Sequence, residues 1–115
     1  MFQDKMVLCA SSAYEKKFYL NENFEGLPQH VKDELKIMCV LFTEDIGGVL
    51  SLQFDENGNL ELNTSADEGD LLYDEIGSVL KIKQMQQEKQ ELFESLETYY
   101  KVFFLGEDIE DDNGD

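Results

Sequence analysis

The sequence predicts an α+β fold: an antiparallel sheet of about four strands in the order ββα-ββα, with two helices on one face and the C-terminal helix long and bent or projecting. Three observations carry this expectation. Residues 49–64 alternate apolar and polar side chains on both sides of Asn57-Gly58, the signature of a β-hairpin. Val31, Leu35, Met38 and Phe42 recur at helical spacing after Pro28. From about residue 67 to Leu105 a helical pattern runs with no proline to stop it.

The chain opens on Met6-Val7-Leu8-Cys9-Ala10, a run of strand length with a β-branched member, and Lys16-Lys17-Phe18-Tyr19-Leu20 follows the small, polar Ser11-Ser12. These read as a first hairpin. Glu25-Gly26-Leu27-Pro28 breaks the chain, and Pro28 suits the first position of a helix, where its missing N–H costs nothing. The first helix is expected over 28–45, ending at Gly47-Gly48. Its rival is a buried strand over Ile37–Phe42, because a short apolar run is not assigned by periodicity alone.

The hairpin's register follows from arithmetic. A two-residue Asn57-Gly58 turn pairs Phe54 with Glu61 and puts the two apolar rows on opposite faces. A three-residue loop, Glu56-Asn57-Gly58, pairs Phe54 with Leu60 and Leu52 with Leu62, so one face is wholly apolar. The longer loop is therefore expected, a type I turn with Gly58 left-handed in a G1 bulge.

Ser65-Ala66-Asp67-Glu68 matches a capping box, with further acids at Asp70, Asp74 and Glu75, so the second helix is expected to start near 67–70 and to end at Leu105 with Gly106 as its cap. A straight rod of that span is roughly 50 Å long, against about 30–35 Å for the diameter of a domain this size. It must break or project. Lys83 to Glu91 holds one apolar residue in nine, which marks the place. Ile82, Met85, Lys89, Leu92, Leu96, Tyr99 and Phe103 fall on successive a and d positions, and Met85, Leu92, Leu96, Tyr99 and Phe103 form the candidate surface for a partner or a second copy. Phe93 and Tyr100 widen that stripe into an ordinary core-facing surface, the competing reading. Tyr99, Tyr100, Phe103 and Phe104 cannot all face one side of a helix, so some of these rings must cover a neighbouring element or a partner. Phe18-Tyr19-Leu20-Asn21 and Asn59-Leu60-Glu61-Leu62-Asn63 share a faint echo, each closing a strand before a helix.

Length and charge bound the function. The 115 residues suit one domain, expected over 1–106, with an acidic disordered tail over 107–115. The chain carries 26 Asp and Glu against 9 Lys and no Arg, a net charge of −17. Phosphate backbones are repelled by such a surface, and the guanidinium fork is missing, so nucleic acid is not an expected partner. No signal-peptide pattern or 18-residue apolar span occurs, which predicts a cytoplasmic protein without a membrane segment. Cys9 and Cys39 each lie inside an apolar run and are expected as buried, inert thiols rather than a disulfide framework.

Catalytic constellations are sparse. His30 is the only histidine and falls in the exposed first turn of the first helix. Gly47-Gly48 feeds a strand, not a helix, so no phosphate cradle is expected. Counting an EF-hand loop from Asp55 puts Leu60 where glycine is required. The acids Asp67, Glu68, Asp70, Asp74 and Glu75 are the strongest hard-cation candidates, but acids at a helix start ordinarily serve its dipole. No metal or cofactor is expected.

The stretches Glu34 to Gly48, Asp74-Glu75-Ile76-Gly77-Ser78-Val79-Leu80 and Phe103-Phe104-Leu105-Gly106-Glu107-Asp108 resemble an uncharacterised family of short acidic proteins from anaerobic Gram-positive bacteria. The resemblance covers nearly all the chain up to Asp108 and implies no activity. The expected function is a non-catalytic interaction module that presents its acidic surface to a protein, either a basic partner or a second copy. The alternative is a small carboxylate-based enzyme dependent on a ligand or metal.

Overall fold

The computed structural model describes residues 5–107. Strands β1 (Met6–Ser12) and β2 (Lys17–Leu20) lead through a 3₁₀ turn (Glu22–Phe24) into helix α1 (Gln29–Ile46). Strands β3 (Val49–Phe54) and β4 (Leu60–Ser65) then lead to helices α2 (Glu75–Glu88) and α3 (Gln90–Phe103). The four strands form one antiparallel sheet in the order β2-β1-β3-β4. The fold is α+β, and the expected order holds up to the second helix, which divides in two.

One face of the sheet builds the core. Leu50, Leu52 and Phe54 of β3 are buried, and their partners across β4 are Thr64, Leu62 and Leu60. This is the register the apolar rows require. Asp55 N–H donates to the Asn59 carbonyl and Gly58 N–H to the Asp55 carbonyl, which leaves Glu56-Asn57-Gly58 as the loop, with Gly58 at φ +88°. The Asp55 carboxylate accepts from the N–H groups of Asn57 and Asn59, and these bonds lower its pKa. In β1 the register slips between Val7 and Cys9, so Leu8 and Cys9 are both fully buried. The alternation rule alone would have sent one of them to solvent.

Helix α1 lies across β1, β2 and β3, with Leu35, Met38, Cys39, Phe42 and Ile46 inward. The helical reading of 37–42 is therefore the right one. Pro28 serves as the N-cap rather than the first helical residue, and Gly47 closes the helix through its N–H to the Thr43 carbonyl. The buried hydroxyls of Ser11 and Thr43 meet at 2.8 Å, which resolves the polarity that Ser11 brings into the sheet's inner face. Cys9 and Cys39 lie side by side, Sγ to Sγ 3.9 Å, both free and buried. The contact with Cys39, together with burial, pushes the Cys9 thiol far above its ordinary pKa, so it carries no reactive thiolate.

The break in the second helical segment falls at Lys89, whose φ of −110° and ψ of 23° end α2 and start α3. It lies inside the polar stretch where a break was expected. Helix α3 packs on β4, and α2 contacts both α1 and α3. An aromatic cluster joins the layers: Tyr100 stacks on Phe54 at 4.3 Å and 5° and on Phe104 at 5.0 Å, and Phe104 stacks on Phe24 at 4.9 Å. These contacts account for the rings that could not share one helix face. The two echoing stretches, 18–21 and 59–63, fall at the two edge strands of the sheet.

The start of the second helix is corrected. The helix does not begin at 67–70, because β4 keeps pairing with β3 through Ser65 and a loop follows. Asp70 N–H closes a turn on the Asp67 carbonyl, and Gly69 takes a positive φ, both incompatible with a helix there. The cap is Asp74, whose Oδ1 accepts from Gly77 N–H at 2.8 Å. Helix α3 ends at Phe103, two residues short of the expected Leu105, with Phe104 as its C-cap, and Gly106 takes a positive φ in the turn that follows. The tail expected over 107–115 lies outside the described residues apart from Glu107.

Candidate interaction surface

The feature the interior does not absorb is a concentration of apolar side chains on the outside. Leu71 and Leu72 are 94% and 91% exposed, Ile76 is 76% exposed, and Val79 and Leu80 join them. Five large apolar residues within ten positions of a strongly charged chain call for an explanation that a single surface leucine does not.

Their exposure is imposed by the residues between them. The Tyr14 hydroxyl, on the turn after β1, donates to the Asp70 carboxylate and accepts from Asp67 N–H at 2.8 Å. Asp70 Oδ1 in turn accepts from Leu72 N–H at 2.9 Å. On the other side, Tyr73 packs against the core, its hydroxyl bonded to buried Ser78, and Asp74 N–H donates to the Ile46 carbonyl at 3.1 Å. With the Asp70 and Tyr73 side chains held against the fold and the Asp74 backbone tied to α1, Leu71 and Leu72 are held outward. The Tyr14 bond lowers the Asp70 pKa and raises that of Tyr14. The Asp70 contribution is thus present above the ordinary aspartate range and lost as pH falls through its lowered value. The Tyr14 contribution is present below the ordinary tyrosine range and lost as pH rises through its raised one.

Helix α2 carries two apolar stripes. Ser78 and Met85 are buried and Ile82 packs against the core, while Ile76, Val79 and Leu80 occupy the far side with Lys83. Alongside it, Ile37 and Leu41 of α1 are also exposed. They border a groove of about 550 Å³ between α1 and α2, floored by Met38, Phe42 and Met85 and lined at one end by His30. Two ion pairs join α1 and α2 beside it, Lys89 to Glu34 at 2.9 Å and Lys81 to Asp45 at 3.0 Å. Exposed pairs of this kind contribute at most about 1 kcal/mol each, so they edge the groove without sealing it.

The acids that the sequence placed at a helix start are distributed differently. Asp74 caps α2, while Asp67, Glu68, Asp70 and Glu75 line a broad depression with Leu71, Ile76 and Val79. Among the described residues, no three His, Cys, Asp or Glu side chains come together in a way that could hold a metal ion. The acids thus lie beside exposed apolar residues in one negatively charged depression. No helix among the described residues is long and apolar enough to cross a membrane.

A family model matches residues 5–108, that of the family of unknown function DUF6145. The chain belongs to that family. No curated protein and no solved structure matches it. The family's matched span takes in all three stretches that carried the resemblance, Glu34 to Gly48, Asp74 to Leu80 and Phe103 to Asp108.

The structure places the five residues of the candidate stripe mostly inside this family member's own core. Met85 and Leu96 are buried, and Leu92 and Tyr99 pack against the core; Phe103 alone projects, 70% exposed with its ring against Tyr99. Of the apolar residues that do face outward, Ile37, Leu41, Leu71, Leu72, Ile76, Val79 and Leu80 were not singled out from the sequence as a surface. One signal was available: Ile76, Val79, Leu80 and Lys83 repeat at i, i+3, i+4 and i+7, a second stripe on the same helix as the heptad positions.

Proposed function

We propose that this protein is a non-catalytic interaction module that docks an amphipathic, basic segment of a partner protein on the α2 side of the molecule. The observation that carries the reading is the restrained display of Leu71, Leu72, Ile76, Val79 and Leu80, with Asp67, Glu68, Asp70 and Glu75 lining one depression together with Leu71, Ile76 and Val79. Apolar residues beside charged ones are the anatomy of a docking surface, and the sign of those charges selects a partner carrying Lys or Arg around its own apolar face. A second copy is the weaker occupant, because it would bring like charges together. In this reading residues 1–106 act as one unit, and the acids of 107–115 add to the steering field. The paired free cysteines fit a reducing compartment such as the cytoplasm.

A synthetic Leu/Lys amphipathic helix serves as the probe, with poly-lysine as the charge-only control. The amphipathic peptide should bind with a Kd of about 1–100 µM, since apolar burial is offset by the cost of association. The double substitution Ile76→Glu and Leu80→Glu should weaken it at least about tenfold while poly-lysine binding is retained. Equal binding of both peptides by both proteins counts against the surface. Light scattering completes the test: a dimer abolished by the same substitutions assigns the face to a second copy.

Solvating so many acids also has a cost in self-repulsion. The melting temperature should rise between about 10 and 150 mM salt, over which the screening length falls from about 30 to 8 Å. A melting temperature independent of salt contradicts crowding of the acids.

A further inference from the structure

On the opposite side of α1, a cleft of about 680 Å³ opens between the C-terminal half of that helix and the β1–β2 hairpin. Its size is that of a small-molecule site. Phe18, Val40, Ile46 and Leu72 give it an apolar lining, with Ser11 and Thr43 in its wall. Lys16, Lys17 and Lys36 line it as well.

This grouping of lysines runs against the composition. The chain has 9 basic residues, all Lys, against 26 acids, yet among the described residues only Lys5, Lys32, Lys81 and Lys89 form ion pairs. Three of the remaining five line this one cleft. Two carboxylates share the lining, Glu44 and Asp45, and Asp45 is already matched by Lys81 at 3.0 Å. Locally, three cations face one unmatched carboxylate. At physiological salt the screening length is about 8 Å, so these near charges outweigh the acids on the far surfaces. Lys16 adds an independent sign: it is the one non-glycine residue with positive φ among those described, at +55°. A turn position of this kind favours Gly or Asn, and a long basic side chain held there at a conformational cost is the sort of strain found at binding sites.

We infer that this cleft binds a small organic anion with an apolar body, its carboxylate or phosphate held by Lys16, Lys17 and Lys36 and its body against Phe18 and Val40. The cleft borders the α2 docking surface at Leu72, which lines both, but none of its three lysines belongs to that surface.

Calorimetric titration of the full chain tests this with phenyl phosphate and benzoate as probes. Inorganic phosphate and cyclohexanol are the charge-only and apolar-only controls. At least one of the two aromatic anions should bind one-to-one and more tightly than either control, and the tighter of the two assigns the head group. Lys36→Gln should weaken it at least about fivefold, the loss of a charged hydrogen bond, while Lys83→Gln, outside the cleft, leaves it unchanged. Lys16→Gly separates binding from folding: it should weaken the anion while holding or raising the melting temperature, because glycine relieves the positive φ. The inference is overturned if neither anion binds, if inorganic phosphate binds as well as they do, or if Lys83→Gln costs as much as Lys36→Gln.

Discussion

Phe54→Ala is expected to cost about 3–5 kcal/mol, the largest loss from any single truncation in this chain. The side chain is fully buried at the end of β3, stacked on Tyr100 at 4.3 Å and 5.7 Å from Phe24, so it touches the sheet, α3 and the 3₁₀ turn at once. Its removal leaves a void that none of those elements can close without moving the others. Native stability of a domain is about 5–15 kcal/mol, so the variant should be near the edge of folding, with a melting temperature more than about 10 °C lower. Phe103→Ala is the control. Its ring is 70% exposed, and its removal should cost less than about 1 kcal/mol. Thermal and urea melts of the two proteins check this, and similar losses would mean that the aromatic cluster is not where the stability resides.

Gly48→Ala is expected to cost at least about 2 kcal/mol, from two sources that add. The residue has φ +70°, and a Cβ there would come within 2.4 Å of the Ser65 carbonyl and 2.8 Å of the Tyr73 ring. Neither neighbour can yield easily, since Ser65 ends β4 in its pairing with Val49 and Tyr73 is bonded to buried Ser78. Gly69→Ala isolates the backbone component: its φ is +86°, with nothing within 4 Å of the added carbon. It should cost only about 1 kcal/mol. A urea series on both variants measures the difference, and equal losses would contradict the close approach at Gly48.

These two positions also mark how far the sequence could be read. The β3–β4 register was legible because it is local: two apolar rows and an Asn-Gly turn admit one pairing that buries both. Helix α1 was legible for the same reason, from its spacing and its stop. At Gly47-Gly48, however, only the helix stop could be seen, because the approach of Tyr73 and the end of β4 comes from residues far along the chain. The start of α2 failed on a similar point. Ser65-Ala66-Asp67-Glu68 and Asp74 are both plausible caps locally, and β-pairing of Ser65 with Val49 decides between them. The bulge that buries Leu8 beside Cys9 is likewise set by β3. Phe24, fully buried in a polar stretch, had no periodic neighbours to announce it.

The candidate surface was the least legible part. Heptad positions marked Met85, Leu92 and Leu96, and the fold uses them as core, because α3 lies on the sheet and α2 on α1. Leu71 and Leu72 had no periodicity to flag them. What turns them outward is the pair of Tyr14 bonds to Asp67 and Asp70, a contact between residues more than 50 positions apart.

The most direct test of the docking account is a backbone amide NMR titration of the ¹⁵N-labelled chain with the amphipathic Leu/Lys peptide. The account predicts that saturable shifts concentrate on Asp67 to Leu80 and on Ile37 and Leu41, with the open face of the sheet around Ser51 and Asn63 unmoved. Shifts spread over acidic residues on every face, or gathered at the β1–β2 hairpin with the α2 face silent, would contradict it.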